Sequence, residues 1–372
     1  MTADRFSSPL WRDRALAASA VRRMEALAAE AASRSGGQLN FMEVCGTHTM
    51  AIAASGMRRL FPKGLRMLSG PGCPVCVTSQ GDIDGVLALA AVPGAVIATF
   101  GDMMKVKGSG GLDLHSMRER GSDVRVVYSP LDAVELAAAE PSRQVIFVGV
   151  GFETTAPVVA AAVARAAKAG LRNFSSTAFF KLVPPALEML LSDPSNKISG
   201  FMLPGHVSSV IGLEPYLFVA RKYRVPCVVA GFEPLDILAA VNMLLEQVIS
   251  GRPEVQDEYF RAVPAAGNPA ALKLMREVFS VRDADWRAIG RVKDTGLGFS
   301  RAYARFDALK RFGIPRKAAP EPKGCLCGRI LLGKAQPPDC RLFGKACTPS
   351  NAVGPCMVSS EGACAAWFKY GA

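Results

Sequence analysis

QVIFVGVGFETTAPVVAAAVARAAKA, residues 144–169, passes from an apolar run to a polar turn to an alanine-rich segment. Gln144–Val150 has the length and the aliphatic and aromatic content of a buried strand. Gly151-Phe-Glu-Thr-Thr155 ends it, and Ala156–Ala169 reads as a helix. The same unit recurs on either side. LNFMEV ends in Cys45-Gly-Thr-His48, LRML in Ser69-Gly-Pro-Gly-Cys-Pro-Val-Cys76, AVIATF in Gly101-Asp102 and RVVY in Ser129-Pro130. Further on, STAFF ends in Lys181, GFML in Pro204-Gly205-His206 and CVVA in Gly231-Phe-Glu-Pro234, which feeds a helix through about Val248. Helical segments such as Ile83–Ala91 lie between. This is the βαβ rhythm of a parallel sheet, and it predicts two α/β units of similar design.

The ends of the chain differ in character. Ser8-Pro9 reads as an N-cap followed by proline at the first helical position. Trp11, Ala18, Val21, Met24, Ala28 and Ala31 then follow helical spacing to about Ser33, before Gly36-Gly37. From about Gly251, helical pieces such as Pro269–Phe279 alternate with loops, and after Pro315 the chain is rich in Gly, Pro and Cys.

A length of 372 residues, half of them hydrophobic, predicts two or three domains with large cores. No apolar stretch follows a basic one at the N-terminus, and the longest apolar run, Val86–Phe100, is short and broken by Pro93-Gly94. A cytoplasmic protein without membrane spans is expected. In a reducing compartment its ten cysteines are read as ligands or catalytic thiols. The net charge of +12 is scattered, with no basic stripe interleaved with aromatics, so nucleic acid is not an expected partner. A solvated basic surface is the first reading, and a face for an acidic protein the second.

In open parallel sheets, ligands bind beyond the carboxyl ends of the strands. CGTH, GPGCPVC, FGD, GFETT, PGH and GFEP all fall there and are expected to line one cleft. Cys45 at a strand end, with His48 three residues on, is expected to have its thiolate favoured by the helix dipole. The competing reading is a buried small hydrophobe and a capping histidine. Cys73 and Cys76 lack a second metal-ligand pair at zinc spacing, which weakens a structural zinc corner. A redox dithiol and a pair of ligand-carrying thiolates both remain open. Glu153 and His206 are the other polar candidates, with helix-dipole and packing roles as the alternatives. Thr154 and Thr155 are read as helix caps, and Asp102 as a weaker candidate. The C-terminal pattern C-x-C-x(12)-C-x(6)-C-x(8)-C-x(7)-C suits an iron–sulfur cluster or zinc, and six thiols leave two beyond the four of a [4Fe–4S] cluster.

MEVCGTHTM, SGPGCPVCVT, GFETTAP, LPGHVS and the cysteine-rich segment from Cys325 to Tyr370 together resemble the HypD family of [NiFe]-hydrogenase maturation proteins. The resemblance implies two similar α/β domains and a loop-rich third domain carrying a [4Fe–4S] cluster. The expected division is 1–35 (a helix packed on the third domain), 36–140, 141–250 and 251–372. It implies a scaffold with a redox part rather than a conventional enzyme. With the chaperone HypC it would hold one iron, receive cyanide from HypE, and pass an Fe(CN)2CO unit to the hydrogenase large-subunit precursor. Carried over by residue, Cys45 is the first iron ligand, with His48 nearby and Cys76 of the Cys73–Cys76 pair as a further ligand. Glu153 and His206 belong to the same site. The resemblance assigns Cys325, Cys340, Cys356 and Cys364 to the cluster and leaves Cys327 and Cys347 as a redox disulfide. The rival reading is a cluster-dependent thiol–disulfide oxidoreductase.

Overall fold

The structure, a computed structural model, describes residues 13–371. The apolar runs that end in glycine-containing turns are strands. In chain order these are β1 (Leu39–Glu43), β2 (Leu65–Ser69), β3 (Ala95–Thr99), β4 (Asp123–Val126), β5 (Gln144–Phe147), β6 (Val150–Gly151) and β7 (Phe174–Ser176). They continue with β8 (Phe179–Lys181), β9 (Gly200–Pro204), β10 (Cys227–Ala230), β11 (Val255–Asp257), β12 (Phe279–Trp286) and β13 (Gly290–Phe299).

The first sheet has the order β11-β10-β9-β1-β2 and the second β4-β3-β5-β7, with every neighbour parallel. β9 and β10 are buried along their whole length, as a parallel sheet covered on both faces requires. A third sheet, β12-β13-β8-β6, is mixed: β12, β13 and β8 pair antiparallel, and β8 and β6 parallel. In the first sheet the chain runs from β1 to β2 on one side and from β9 to β11 on the other. The order therefore reverses between β1 and β9, and in the second sheet between β3 and β5. Such reversals open the crevices in which α/β proteins bind ligands.

The sheets do not follow the expected division at residue 140. β1 and β2 join β9, β10 and β11, so residues 39–69 and 200–257 build one sheet around the inserted 95–176. Pairing depends on matching faces and not on chain order. Gly200 lies opposite Phe41, and a Cβ there would come within 3.0 Å of the Phe41 ring, so bare backbone is what lets β9 close on β1.

The N-terminal helix also departs from expectation. Its proposed start at Ser8-Pro9, with Trp11, lies outside the described residues. Within them the helix is Arg14–Ser35, capped by Asp13 and closed by Gly36 at φ 74°. It packs chiefly on the helix Pro234–Ser250, where packing on the third domain was expected. Asn242 Nδ2 donates to Ala20 O at 3.2 Å, and Met24, Ala28 and Ala31 are buried in the core shared with β1. The region after 251 contains the long β12–β13 hairpin, where only helices and loops were expected. Short helical turns at Cys327–Leu331 and Pro355–Val358 follow, and then a last helix, Ala363–Tyr370, which lies against the helix Gly46–Ala54. No helix among the described residues is long and apolar enough to cross a membrane.

Candidate functional site

Four of the singled-out turns leave the carboxyl edge of the first sheet. β1 leads through Val44 to Cys45, the N-cap of Gly46–Ala54. β2 leads into GPGCPVC, where Cys73 caps the short turn Pro74–Val77. β9 leads to Gly205-His206 and β10 to Gly231-Phe232. Gly46 N donates to Gly72 O at 3.2 Å, and any Cβ at Gly72 would run into the Cys45 backbone. The GFETT turn after β6 brings Phe152, Thr154 and Thr155 to the same place. The CGTH, GPGCPVC, PGH and GFETT turns bound a cleft of about 410 Å³ whose lining includes Cys45, Gly72, Thr154, His206 and Glu361; the GFEP and FGD turns, expected there, are not in its lining. The expected convergence of Cys45 with the GPGCPVC loop is thus present.

Cys73 and Cys76 are joined as a disulfide. Ser359 Oγ lies 3.3 Å from Cys73 Sγ and donates to Asp102 Oδ2 at 3.4 Å. The Cys45 thiol is not poised as a thiolate. Burial pushes it up to about 12, and the Glu361 carboxylate pushes the same way, outweighing the hydrogen bonds at the helix start. Directly below, Glu43 accepts from Cys45 N at 3.2 Å and from Thr49 Oγ1, and burial raises its carboxyl to about 7. Glu43 thereby holds the Cys45 backbone in place.

His48 faces away from the cleft. It is fully buried, and its Nε2 donates to Gly231 O at 2.9 Å. Its ring stacks on Phe232 at 4.7 Å, and His206 stacks on Phe232 at 4.0 Å. Burial lowers the His48 pKa to about 4, so the ring is neutral, with Nδ1 buried and unpaired. Exposed His206 is the histidine that lines the cleft. Glu153 is also in the interior. Its Oε1 accepts from Val183 N at 2.9 Å, its Oε2 is buried without a partner, and burial raises its carboxyl to about 7. Thr155 stands at the N-cap of Ala156–Lys168 without a side-chain capping bond.

All six C-terminal cysteines line one small cavity of about 10 Å³, closed by Ile330, Leu342, Phe343 and Met357. All six are free thiols, including Cys327 and Cys347, and Cys327 is hydrogen-bonded to Cys356. Burial pushes Cys325 up to about 12 and Cys364 higher still, so these are protonated thiols in an apolar wall. Among the described residues no group of three or more His, Cys, Asp and Glu side chains is gathered tightly enough for a single ion. Six sulfur donors around one apolar cavity are the donor set that a thiolate-ligated iron–sulfur core takes, and its positive charge would replace the protons.

Residue-by-residue reading missed Glu361. It accepts from Thr47 Oγ1 at 2.7 Å, and a Cβ on Gly46 would collide with it. The signal was the polar run Ser359-Ser360-Glu361 between two cysteines in an otherwise apolar turn. Ser359 and Ser360 both donate to Asp102, which gives that residue a docking role.

The HypD family model, described as "Hydrogenase formation hypA family", matches residues 18–371. The chain is 46% identical over 368 residues to the hydrogenase maturation factor HypD of Rhizobium leguminosarum bv. viciae, covering 97% of this chain and 94% of the relative. It is 43% identical to HypD of Rhodobacter capsulatus, covering 97% of each. It is 45% identical to HypD of Escherichia coli (strain K12), covering 89% of each.

Proposed function

Because the chain belongs to the HypD family of hydrogenase maturation factors, we propose that it is the cytoplasmic scaffold on which the Fe(CN)2CO unit of [NiFe]-hydrogenase is assembled. The observation that carries this reading is the meeting of Cys45 with the GPGCPVC loop at the switch point between β1 and β9, joined by the Gly46–Gly72 hydrogen bond. The iron is cargo here. Cys45 is its first ligand, and Cys76 its second once the Cys73–Cys76 disulfide has gained two electrons and two protons. Soft thiolates suit an iron that carries cyanide and carbon monoxide.

Cys325, Cys340, Cys356 and Cys364 would hold a [4Fe–4S] cluster, whose chemistry is the supply of single electrons. Ser359, beside Cys73 and three residues beyond Cys356, is on the short path between the two sulfur sites. HypC is the partner suited to close the open cleft, HypE the cyanide donor, and the hydrogenase large-subunit precursor the recipient. Infrared spectroscopy of oxygen-free protein copurified with HypC tests the reading. Cyanide and carbonyl stretches are expected in wild type and absent in Cys45→Ala. Full iron retention and maturation in Cys45→Ala would overturn it.

The disulfide beside a six-thiol cavity favours one second reading, a cluster-dependent thiol–disulfide oxidoreductase. Reduction of insulin disulfides with a simple electron donor would support it over the scaffold.

A further inference from the structure

Arg287, just after β12, is 1% exposed. A buried cation persists only where its donors are met. Its Nε donates to Thr78 O at 2.8 Å, and Nη1 donates to Gln80 Oε1 at 2.7 Å and Glu321 Oε2 at 2.8 Å. Its backbone N donates to Val77 O at 2.9 Å. Val77 and Thr78 directly follow Cys76, so the arginine is fastened to the disulfide loop. Its other side meets the cysteine-rich region. Ala288 abuts Gly328 so closely that a Cβ on Gly328 would collide with it, which sets Arg287 beside Cys327. One donor is left over: Nη2 is buried and has no hydrogen-bond partner. Buried donors are rarely left so, and a sulfur of a centre held by the C-terminal cysteines would give it an acceptor.

We propose that Arg287 is a positioning residue that sets the reduction potential of the metal–sulfur centre held by the C-terminal cysteines, and that Glu321 opposes it. The inference rests on the reading that these cysteines hold a cluster. A fixed positive charge in a poorly polarisable interior stabilises the more negative, reduced state and raises the potential. Glu321 is about one-third exposed, its side chain at 31%, so water screens its opposing charge more than that of the fully buried guanidinium. The remaining donor on the same guanidinium adds a hydrogen bond to sulfur, which acts in the same direction.

The test uses full-length protein purified without oxygen, with iron and sulfide measured chemically and the midpoint read by EPR-monitored redox titration. In Arg287→Gln, with cluster content unchanged, the oxidised-to-reduced ratio at a fixed ambient potential is expected to rise about tenfold, a midpoint about 59 mV lower for one electron. Arg287→Lys is expected to fall between this and wild type. Glu321→Gln is expected to shift the midpoint upward. A purely structural role moves neither midpoint, or moves both in one direction, and either result overturns the proposal. If Arg287→Gln does not fold, Glu321→Gln decides alone, and an unchanged or lowered midpoint refutes it. Wild-type protein without iron and sulfide would refute the cluster reading itself, a result distinct from an unmoved midpoint.

Discussion

Gly46 donates its amide hydrogen to the carbonyl of Gly72 across 3.2 Å, tying the residue after Cys45 to the residue before Cys73. Two segments that leave adjacent parallel strands are thereby held with their backbones in contact. Only glycine at position 72 permits it, since a Cβ there would meet the Cys45 amide and α-carbon directly.

Gly72→Ala is therefore expected to force the two loops apart. The atoms in the way are backbone and cannot swing aside, so a cost of about 1–3 kcal/mol is expected from overpacking. Denaturant titration reads that loss. Iron bound after anaerobic loading should fall in the folded fraction as well. A variant with wild-type stability and full iron would show that the loops need not touch.

His48 and His206 flank Phe232 but face different surroundings. His48→Ala removes a buried ring and strands the Gly231 carbonyl, an expected loss of about 2–4 kcal/mol. Protein that survives it should still bind iron. His206→Ala is expected to change stability by less than about 1 kcal/mol and to weaken iron loading, since that ring lines the cleft. The reverse pattern would return His48 to the site.

The apolar runs predicted the strands well, because a strand buried on both faces is written as a continuous apolar stretch. The carboxyl-edge position of CGTH, GPGCPVC and PGH followed from parallel polarity alone. What stayed hidden is long-range pairing. Nothing in LNFMEV says that its second neighbour is GFMLP, almost 160 residues later, because the determinant is the bare Gly200 opposite Phe41. The β12–β13 hairpin was missed because β12 is largely polar and half-exposed, so FSVRDADW shows no apolar run. The orientation of His48 was missed because the helix start fixes its position but not which way its ring turns. Its stacking partner, Phe232, comes from a distant turn.

The six C-terminal thiols share one cavity, and Cys327 and Cys347 are free thiols, not joined to each other. Cys356→Ala is expected to abolish the brown absorbance and the bound sulfide. Cys347→Ala is expected to retain both if Cys347 is outside the cluster set. Iron and sulfide analysis of single alanine variants at all six positions sorts ligands from spare thiols. Four variants should lose the cluster and two keep it. Retention in Cys356→Ala would remove it from the ligand set.

Glu153 supplies a pH signature independent of any metal. Burial raises its carboxyl from 4.5 to about 7, and among the described residues its only hydrogen-bond donor from outside the GFETT turn is Val183 N; Tyr216 also faces it, with its own pKa raised by burial. Between those two pH values the folded chain keeps a proton that the unfolded chain has released. Stability is therefore full below about pH 4.5 and falls as pH rises toward 7. At about 1.4 kcal/mol per unit, the fall is on the order of ~3 kcal/mol. Glu153→Gln cannot ionise and lacks this component of the slope. Its stability relative to wild type is expected to rise by that amount between pH 4.5 and 7.5 and then to level off. Urea titrations of both proteins across this range measure the difference directly. Parallel curves would mean that the Glu153 carboxyl ionises in the folded state as readily as in water, which its burial and unpaired Oε2 do not allow.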